Sequence, residues 1–139
     1  MEKNEMVENE MYAMACVVVN KNSKILLLKR SPEKKLFPNQ WAVVGAAPLA
    51  KDEDMESIAK REVKDELGLE GKILKSGQEI STLMGKSQWH VFPFLAQIES
   101  NDITLNDEHT EYKWVTKEAL KDYNLPPLME ETITKLLGE

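Results

Sequence analysis

Hydrophobic residues in this chain fall mostly into short runs, each followed by a cluster of polar or turn-forming residues. Three of these runs are rich in aliphatic or aromatic residues, which predicts strands at Met11–Val19, Lys24–Lys29 and Gln88–Ile98. Turn-forming residues at 20–23 separate the first two strands, so the pair is predicted to form a hairpin. Weaker runs predict shorter strands at residues 41–46, 71–76, 78–82 and 112–115.

Helical spacing is clearest between residues 55 and 67. Steps of three and four align five apolar residues there on one face, namely Met55, Ile58, Ala59, Val63 and Leu67. Asp52 or Asp54 can cap the start of this helix, and Gly68 can end it in a left-handed conformation. Two further helices are predicted at Lys117–Tyr123 and Pro126–Leu137. Strands interleaved with helices in this way predict an α/β domain of sandwich type.

Length and charge narrow the class of protein. The 139 residues suit one domain, which we assign to residues 11–139, preceded by a flexible acidic tail at residues 1–10. A net charge of −6 argues against a partner that is a nucleic acid polymer, because binding its backbone needs a basic face.

The cysteine count and the lengths of the apolar runs help to predict the cellular compartment of the protein. Cys16 is the single cysteine, which excludes an internal disulfide and a Cys-based zinc cluster. The longest apolar run is too short to cross a bilayer, so no membrane association is predicted. The acidic N-terminus does not resemble a signal or transit peptide, and a cytoplasmic location is the expectation.

The predicted central helix carries three acids, Glu62, Asp65 and Glu66, whose spacing places them on one face. Glu62 and Glu66 stand four residues apart and repel each other by roughly 0.2–0.5 kcal/mol. A divalent cation would turn this repulsion into coordination, since such ions prefer carboxylate oxygens. The alternative is a solvated, charge-rich helix, which is common in a chain with 30% charged residues.

The positions of these acids relative to their neighbours resemble the signature of the Nudix hydrolase superfamily. That signature is Gly, five residues, Glu, seven residues, Arg-Glu, an apolar residue, any residue, Glu-Glu, any residue, Gly and an apolar residue. Two positions depart from it: Ala47 stands at the opening Gly, and Asp65 replaces the first Glu of the pair. Seven fixed positions match, namely Glu53, Arg61, Glu62, Val63, Glu66, Gly68 and Leu69.

The resemblance implies an α/β/α sandwich with a mixed sheet and a divalent cation, Mg²⁺ or alternatively Mn²⁺. It implies hydrolysis of a diphosphate linkage in a small nucleotide, such as a nucleoside triphosphate or a nucleotide sugar. Glu62 and Glu66 would be the chief metal ligands, with Asp65 assisting, and an Arg61–Glu53 pair would brace the catalytic loop. Related proteins are often dimers, so a homodimer is a further expectation.

Other residues are candidates for the same site. Glu108 is the candidate for a fourth carboxylate facing the metal helix, with Glu111 as its competitor, and Glu66 or Glu108 would act as the general base. Lys29 and Arg30 end a strand and can either reach a substrate phosphate or remain solvated. On strand alternation Trp89 faces opposite His90 and could stack on a base, whereas a lone strand histidine is more often structural.

Two features leave alternatives to the enzyme open. Ala46 and Ala47 follow Gly45 where the family usually has adjacent glycines, so either the loop differs in shape or these positions need no positive φ. Ala47 and Asp65 together favour a catalytically weak module that binds a nucleotide and regulates another process. A plain structural domain, which would bind no metal, is the other alternative. An isomerase of related sequence is set aside, because its loop cysteine is missing here.

Overall fold

The computed structural model describes residues 9–138, and a mixed sheet of eight strands forms the centre of this part of the chain. The strands are β1 Asn9–Val19, β2 Ile25–Arg30, β3 Trp41–Ala42, β4 Val44–Leu49, β5 Lys72–Ser76, β6 Ile80–Met84, β7 Ser87–Gln97 and β8 His109–Val115. The helices are α1 Met55–Leu67, a 3₁₀ helix Lys117–Asp122 and α2 Met129–Leu136. None of the helices in this part of the chain is long and apolar enough to cross a membrane.

Strands β1 and β7 run parallel along their whole length, from Asn9 opposite Ser87 to Val19 opposite Gln97. Every other strand pair is antiparallel. Strand β2 pairs with β1, β3 and β8, whereas β4 pairs with β1, and β5 and β6 each pair with β7. The sheet therefore branches on both sides of its parallel centre.

Both faces of the central strands are buried. The β1 residues Met14, Cys16 and Val18 pack with helix α1 on one face, and the alternate residues pack on the other. That second face is covered by Leu120 of the 3₁₀ helix and Ile133 of α2. A strand buried on both faces has a continuous apolar sequence, as observed here. The predicted α/β/α sandwich with a mixed sheet is confirmed.

Local signals determine where α1 begins and ends. The side chain of Asp54 accepts hydrogen bonds from the backbone N–H and the hydroxyl of Ser57, so the cap is Asp54 and not Asp52. Gly68 closes the helix with φ 74°, and its N–H donates to the carbonyl of Lys64 at 2.8 Å. The five predicted apolar residues are all buried, and Glu66 is buried with them.

Several predicted boundaries differ from those of the structure. Strand β1 begins at Asn9, so Asn9 and Glu10 belong to the sheet and not to the predicted tail, whose other residues lie outside the described part. Helix α2 begins at Met129 because Leu128 has φ 67°, which a right-handed helix excludes. A tight turn at Gly85 joins β6 to β7.

Candidate metal and substrate site

Three glutamates meet at one end of helix α1. Glu62 and Glu66 project from successive turns of the helix, and Glu108 lies directly before β8. Each offers a carboxylate oxygen, and these three atoms all lie within 4.8 Å of one another. The backbone N–H of Ser31 donates to the carbonyl of Glu108 at 3.0 Å, and the side chain of Asn106 accepts from the N–H of Glu108 at 3.0 Å. These bonds fix the backbone of Glu108 directly before β8.

Glu66 is the buried member of this acidic cluster. Its side chain has no accessible surface, and neither carboxylate oxygen accepts a hydrogen bond from the described residues. Burial raises the pKa of Glu66 to about 9, and the charges of Glu108 and Glu62 contribute to the rise. A buried anion without hydrogen bonds needs a cation to offset the cost of desolvation. The three carboxylates therefore fit a hard divalent cation, which takes oxygen ligands.

His109 adds a buried histidine to the site. Its side chain is 3% exposed, and its Nδ1 lies 3.7 Å from Oε1 of Glu66. Burial lowers the pKa of His109 to about 4 against the opposing charge of Glu108, and the cations Arg30 and Lys34 add to the lowering. The sequence analysis did not identify His109 as a site residue. The one feature of the sequence that could have indicated a role for His109 is its position next to Glu108. The surrounding segment is polar, so nothing in it indicates that the histidine is buried.

A cleft of about 510 Å³ opens beside the acidic cluster. The charged residues that line it are Arg30, Lys34, Glu62 and Glu108. The ammonium of Lys34 lies 3.2 Å from Oε1 of Glu108, and Nε of Arg30 donates to the carbonyl of Leu36 at 2.9 Å. Most of the other lining residues are apolar, and they include Leu36, Phe37, Met84, Trp89, Val91, Pro126, Pro127, Leu128 and Met129. Charged and apolar parts of one ligand could thus be bound together.

The structure separates the residues that were predicted to bind substrate. Arg30 and Trp89 line the cleft, but Lys29 does not. Lys29 faces Glu111 across the β2–β8 pair, and their charged atoms lie 3.7 Å apart. Glu111 is therefore engaged away from the cleft, and Glu108 is the acid that joins Glu62 and Glu66.

Two predictions about the helix region do not match the structure. Arg61 contacts its neighbour Glu62 at 3.3 Å, and Glu53 instead accepts a hydrogen bond from the N–H of Ala50 at 3.0 Å. Within residues 9–138, the predicted Arg61–Glu53 pair is not formed. Asp65 is exposed and lies outside the acidic cluster. It is rotated about 100° around the helix from Glu66 and has a shorter side chain.

The small residues before the helix lie in strand β4. Neither Ala46 nor Ala47 has a positive φ, so these positions do not need glycine for backbone conformation. Gly45 is favoured for a different reason, since a Cβ there would make a tight contact of 3.0 Å with the carbonyl oxygen of Met14. Gly45, Ala46 and Ala47 all line the cleft. With Ala47 at the signature's first glycine the chain stays in strand β4, although the Ala47–Pro48 peptide bond is cis and the pairing of β4 with β1 shifts register there.

Comparison with known proteins relates this geometry to a family. Residues 10–136 match the NUDIX domain. The chain is similar to nucleoside triphosphatase NudI of Enterobacter sp. (strain 638), with 27% identity over 135 residues, which cover 88% of this chain and 94% of that protein.

Solved structures show the same fold at low sequence identity. The MutT protein from Methanosarcina mazei Go1 has a TM-score of 0.80 and 21% identity, covering 93% of this chain and 94% of the other. A C. elegans Ap4A hydrolase has a TM-score of 0.71 and 23% identity, covering 91% and 95%.

Proposed function

Because this chain belongs to the NUDIX family and is a pyrophosphohydrolase of that family, we propose that it hydrolyses nucleoside triphosphates with a divalent cation held by Glu62, Glu66 and Glu108. The observation that carries this proposal is the buried carboxylate of Glu66, which makes no hydrogen bond with the described residues, beside a cleft lined by both charged and apolar residues. The similarity to NudI nucleoside triphosphatases supports the choice of triphosphates over nucleotide sugars.

The cation is proposed to be Mg²⁺, with Mn²⁺ as the alternative. When bound, such an ion neutralises phosphate oxygens and lowers the pKa of a coordinated water. Glu66 contributes as an anion that has lost the proton favoured by burial. Glu62 is held by Arg61 at 3.3 Å, which supports an orienting role for Arg61. Asp65 keeps an auxiliary role only as a prediction, because its side chain lies outside the acidic cluster.

Glu108 is the better candidate for the general base. Its side chain is 38% exposed, so a proton taken from water can pass to solvent, whereas Glu66 is fully enclosed. The water oxygen would form a bond to a phosphorus atom as its proton passes to Glu108. The bridging P–O bond would break, and its electron pair would leave on the oxygen of the departing phosphate or pyrophosphate. A positioned base of this kind typically contributes about 10²–10⁴-fold to the rate.

The lining of the cleft offers groups for both parts of a nucleotide. Arg30 and Lys34 are cations that line the cleft together with Glu62 and Glu108, which suits a phosphate chain. Trp89 is among the apolar lining residues, and its aromatic ring can stack on a base. We therefore propose that the triphosphate lies against the acidic cluster and that the base lies against Trp89.

The direct test is release of phosphate and pyrophosphate from nucleoside triphosphates, nucleotide sugars and dinucleoside polyphosphates, with Mg²⁺ or with EDTA. We expect Mg²⁺-dependent release from at least one triphosphate and none in EDTA. Cleavage that persists in EDTA would contradict the cation site. Cleavage restricted to nucleotide sugars would retain the cation site and replace the substrate class.

A cytoplasmic location and a homodimer stay predictions. The second can be tested by light scattering coupled to size-exclusion chromatography, in which a monomer mass would contradict it.

A further inference from the structure

Two buried polar groups in the acidic cluster face each other without other partners. Nδ1 of His109 and both oxygens of Glu66 make no hydrogen bond with the described residues. Nδ1 lies 3.7 Å from Oε1, which is longer than a hydrogen bond. A buried donor or acceptor left unpaired costs about 1–3 kcal/mol, so such pairs seldom remain open without another purpose.

The other two acids of the cluster each have a partner that orients them. Glu62 receives the guanidinium of Arg61 at 3.3 Å, and Glu108 receives the ammonium of Lys34 at 3.2 Å. Within the described residues, neither oxygen of Glu66 makes a hydrogen bond of accepted geometry. The backbone N–H of Gly45 favours the ionised carboxylate, and His109 is the side chain that faces Glu66 and can donate to it.

We propose that His109 is a positioning residue, whose Nδ1–H donates to Oε1 of ionised Glu66 and leaves the other oxygen for the cation. The inference rests on the cation site proposed above and adds a named role for His109. A neutral imidazole carries its proton on either nitrogen, so the Nδ1–H form is available without protonation of the ring. The 3.7 Å gap has to shorten by less than 1 Å, a shift within the range of side-chain movement.

This arrangement explains why the site contains histidine and not a second lysine. A lysine ammonium beside Glu66 would neutralise the carboxylate and compete with a divalent cation for it. A neutral donor orients the carboxylate and leaves its charge for the metal. Hydrogen bonds to ligating carboxylates typically change metal affinity by about 10–100-fold when they are removed.

The first test is the tautomer of His109 in the full-length protein, read by ¹⁵N NMR with and without saturating Mg²⁺. The chain has only two histidines, and His90→Gln assigns the remaining signal to His109. We expect the Nδ1–H form in the Mg²⁺-bound protein. A ring that carries its proton on Nε2 alone, with Nδ1 bare, would overturn the inference.

The second test is calorimetric titration with Mg²⁺ of His109→Leu and His109→Asn. Leucine fills the space without a donor, and the amide of asparagine places a donor near the position of Nδ1. We expect about 10–100-fold weaker Mg²⁺ binding for His109→Leu and recovery of at least half of that loss, on a logarithmic scale, for His109→Asn. Thermal unfolding in EDTA checks that both variants are folded.

The outcomes separate this inference from the proposed function. Wild-type protein that binds no Mg²⁺ would overturn both the cation site and the role of His109. Wild-type binding with equal affinity in His109→Leu would overturn the role of His109 alone. Equal losses in both variants would also overturn the proposed donor role of His109, because the asparagine amide keeps a donor. If His109→Leu does not fold, the NMR measurement on the wild type still decides.

Discussion

Two places in this protein bring a histidine against glutamate, and they differ in burial. At the cleft, His109 and Glu66 have side chains 3% and 0% exposed, and the facing atoms make no hydrogen bond. On the sheet surface, His90 lies between Glu10 and Glu79, and each ring nitrogen is within hydrogen-bond distance of one carboxylate.

The pKa values of the two histidines move in opposite directions. Burial lowers the pKa of His109 to about 4. Hydrogen bonding to Glu10 raises the pKa of His90 against partial desolvation, and Glu79 adds to the rise. The comparison shows that residue identity does not set the charge of such a pair. Solvent access and completed hydrogen bonds do, and only the buried pair needs a further partner.

The largest expected effect comes from removing one carboxylate at each place. Glu66→Gln removes the buried charge and should lower Mg²⁺-dependent kcat/KM by on the order of 10²–10⁴-fold, while the isosteric amide preserves the fold. Glu79→Gln is the matched control, because it contacts a histidine outside the cleft, and its kcat/KM should be unchanged. A Glu66→Gln variant with wild-type turnover would remove Glu66 from the catalytic site.

The next effect is on stability as pH changes in EDTA. Glu66 has a pKa of about 9 in the folded protein and 4.5 ordinarily, so between these values the folded state holds more protons. Its contribution is complete below pH 4.5 and is lost as pH rises towards 9. His109 acts oppositely between about pH 4 and 6.5, where the unfolded state binds more protons. Up to about pH 6.5 the two residues change the free energy of unfolding in opposite directions. Above pH 6.5 only the decrease caused by Glu66 remains.

Urea unfolding at pH 6.5, 7.5 and 8.5 measures this prediction. The free energy of unfolding should fall with pH in the wild type and much less in Glu66→Gln. Saturating Mg²⁺ should reduce the fall, because the bound cation favours the ionised carboxylate. His90 also has a raised pKa, so its contribution to the free energy of unfolding is lost as the pH rises through that pKa. The same measurement on His90→Gln separates this contribution from that of Glu66. Equal slopes in the wild type and Glu66→Gln would contradict the assignment to Glu66.

A smaller effect extends the comparison to two lysine–glutamate pairs. Lys34 pairs with Glu108 in the cleft, and Lys29 pairs with Glu111 outside it. Lys34→Met should tighten Mg²⁺ binding by about 1.5–5-fold, because a competing pair worth about 0.2–1 kcal/mol is removed. The same change should raise KM for the triphosphate, because the cleft loses a cation.

Calorimetry with Mg²⁺ and steady-state kinetics give the two readouts. Lys29→Met is the control and should change neither quantity. Weaker Mg²⁺ binding in Lys34→Met would show that Lys34 supports the cation site and does not compete with it.

The smallest effect is expected at His90, the histidine outside the cleft. His90→Gln should lower the free energy of unfolding at pH 6 by about 0–1 kcal/mol, the usual range for surface ion pairs. Mg²⁺ affinity and turnover should not change, since His90 lies outside the cleft. Urea unfolding and Mg²⁺ titration check both statements. A loss of metal affinity would mean that the sheet surface and the cleft are coupled.

Elements formed from local signals were predictable from the sequence. The central strands carry continuous apolar runs because both of their faces are buried, and α1 has its cap and terminating glycine in sequence. Features that depend on contacts between residues far apart in the chain could not be predicted from the sequence. Pro93 is an example, because it lies within central β7 between the segments paired with β6 and β5. The position of Pro93 is set by how β7 pairs with both β5 and β6.

The candidate site shows the same division. Helical spacing was sufficient to bring Glu62 and Glu66 together, whereas the choice between Glu108 and Glu111 stayed open. The register of β2 against β8 pairs Lys29 with Glu111 and leaves Glu108 before the strand, facing α1. Strand register depends on contacts between residues about 80 positions apart, which no local pattern encodes.

By itself, the sequence determined the sandwich of helices and sheet, the limits of α1 and the two helical acids, because these follow from periodicity and capping within a few residues. Only the tertiary structure decided which acids share the cluster and which charges are buried. Glu66 has the same side chain as the exposed glutamates, yet packing against the sheet raises its pKa to about 9. Desolvation depends on what surrounds a residue in space, and for Glu66 that includes Glu108 and His109 from a distant part of the chain.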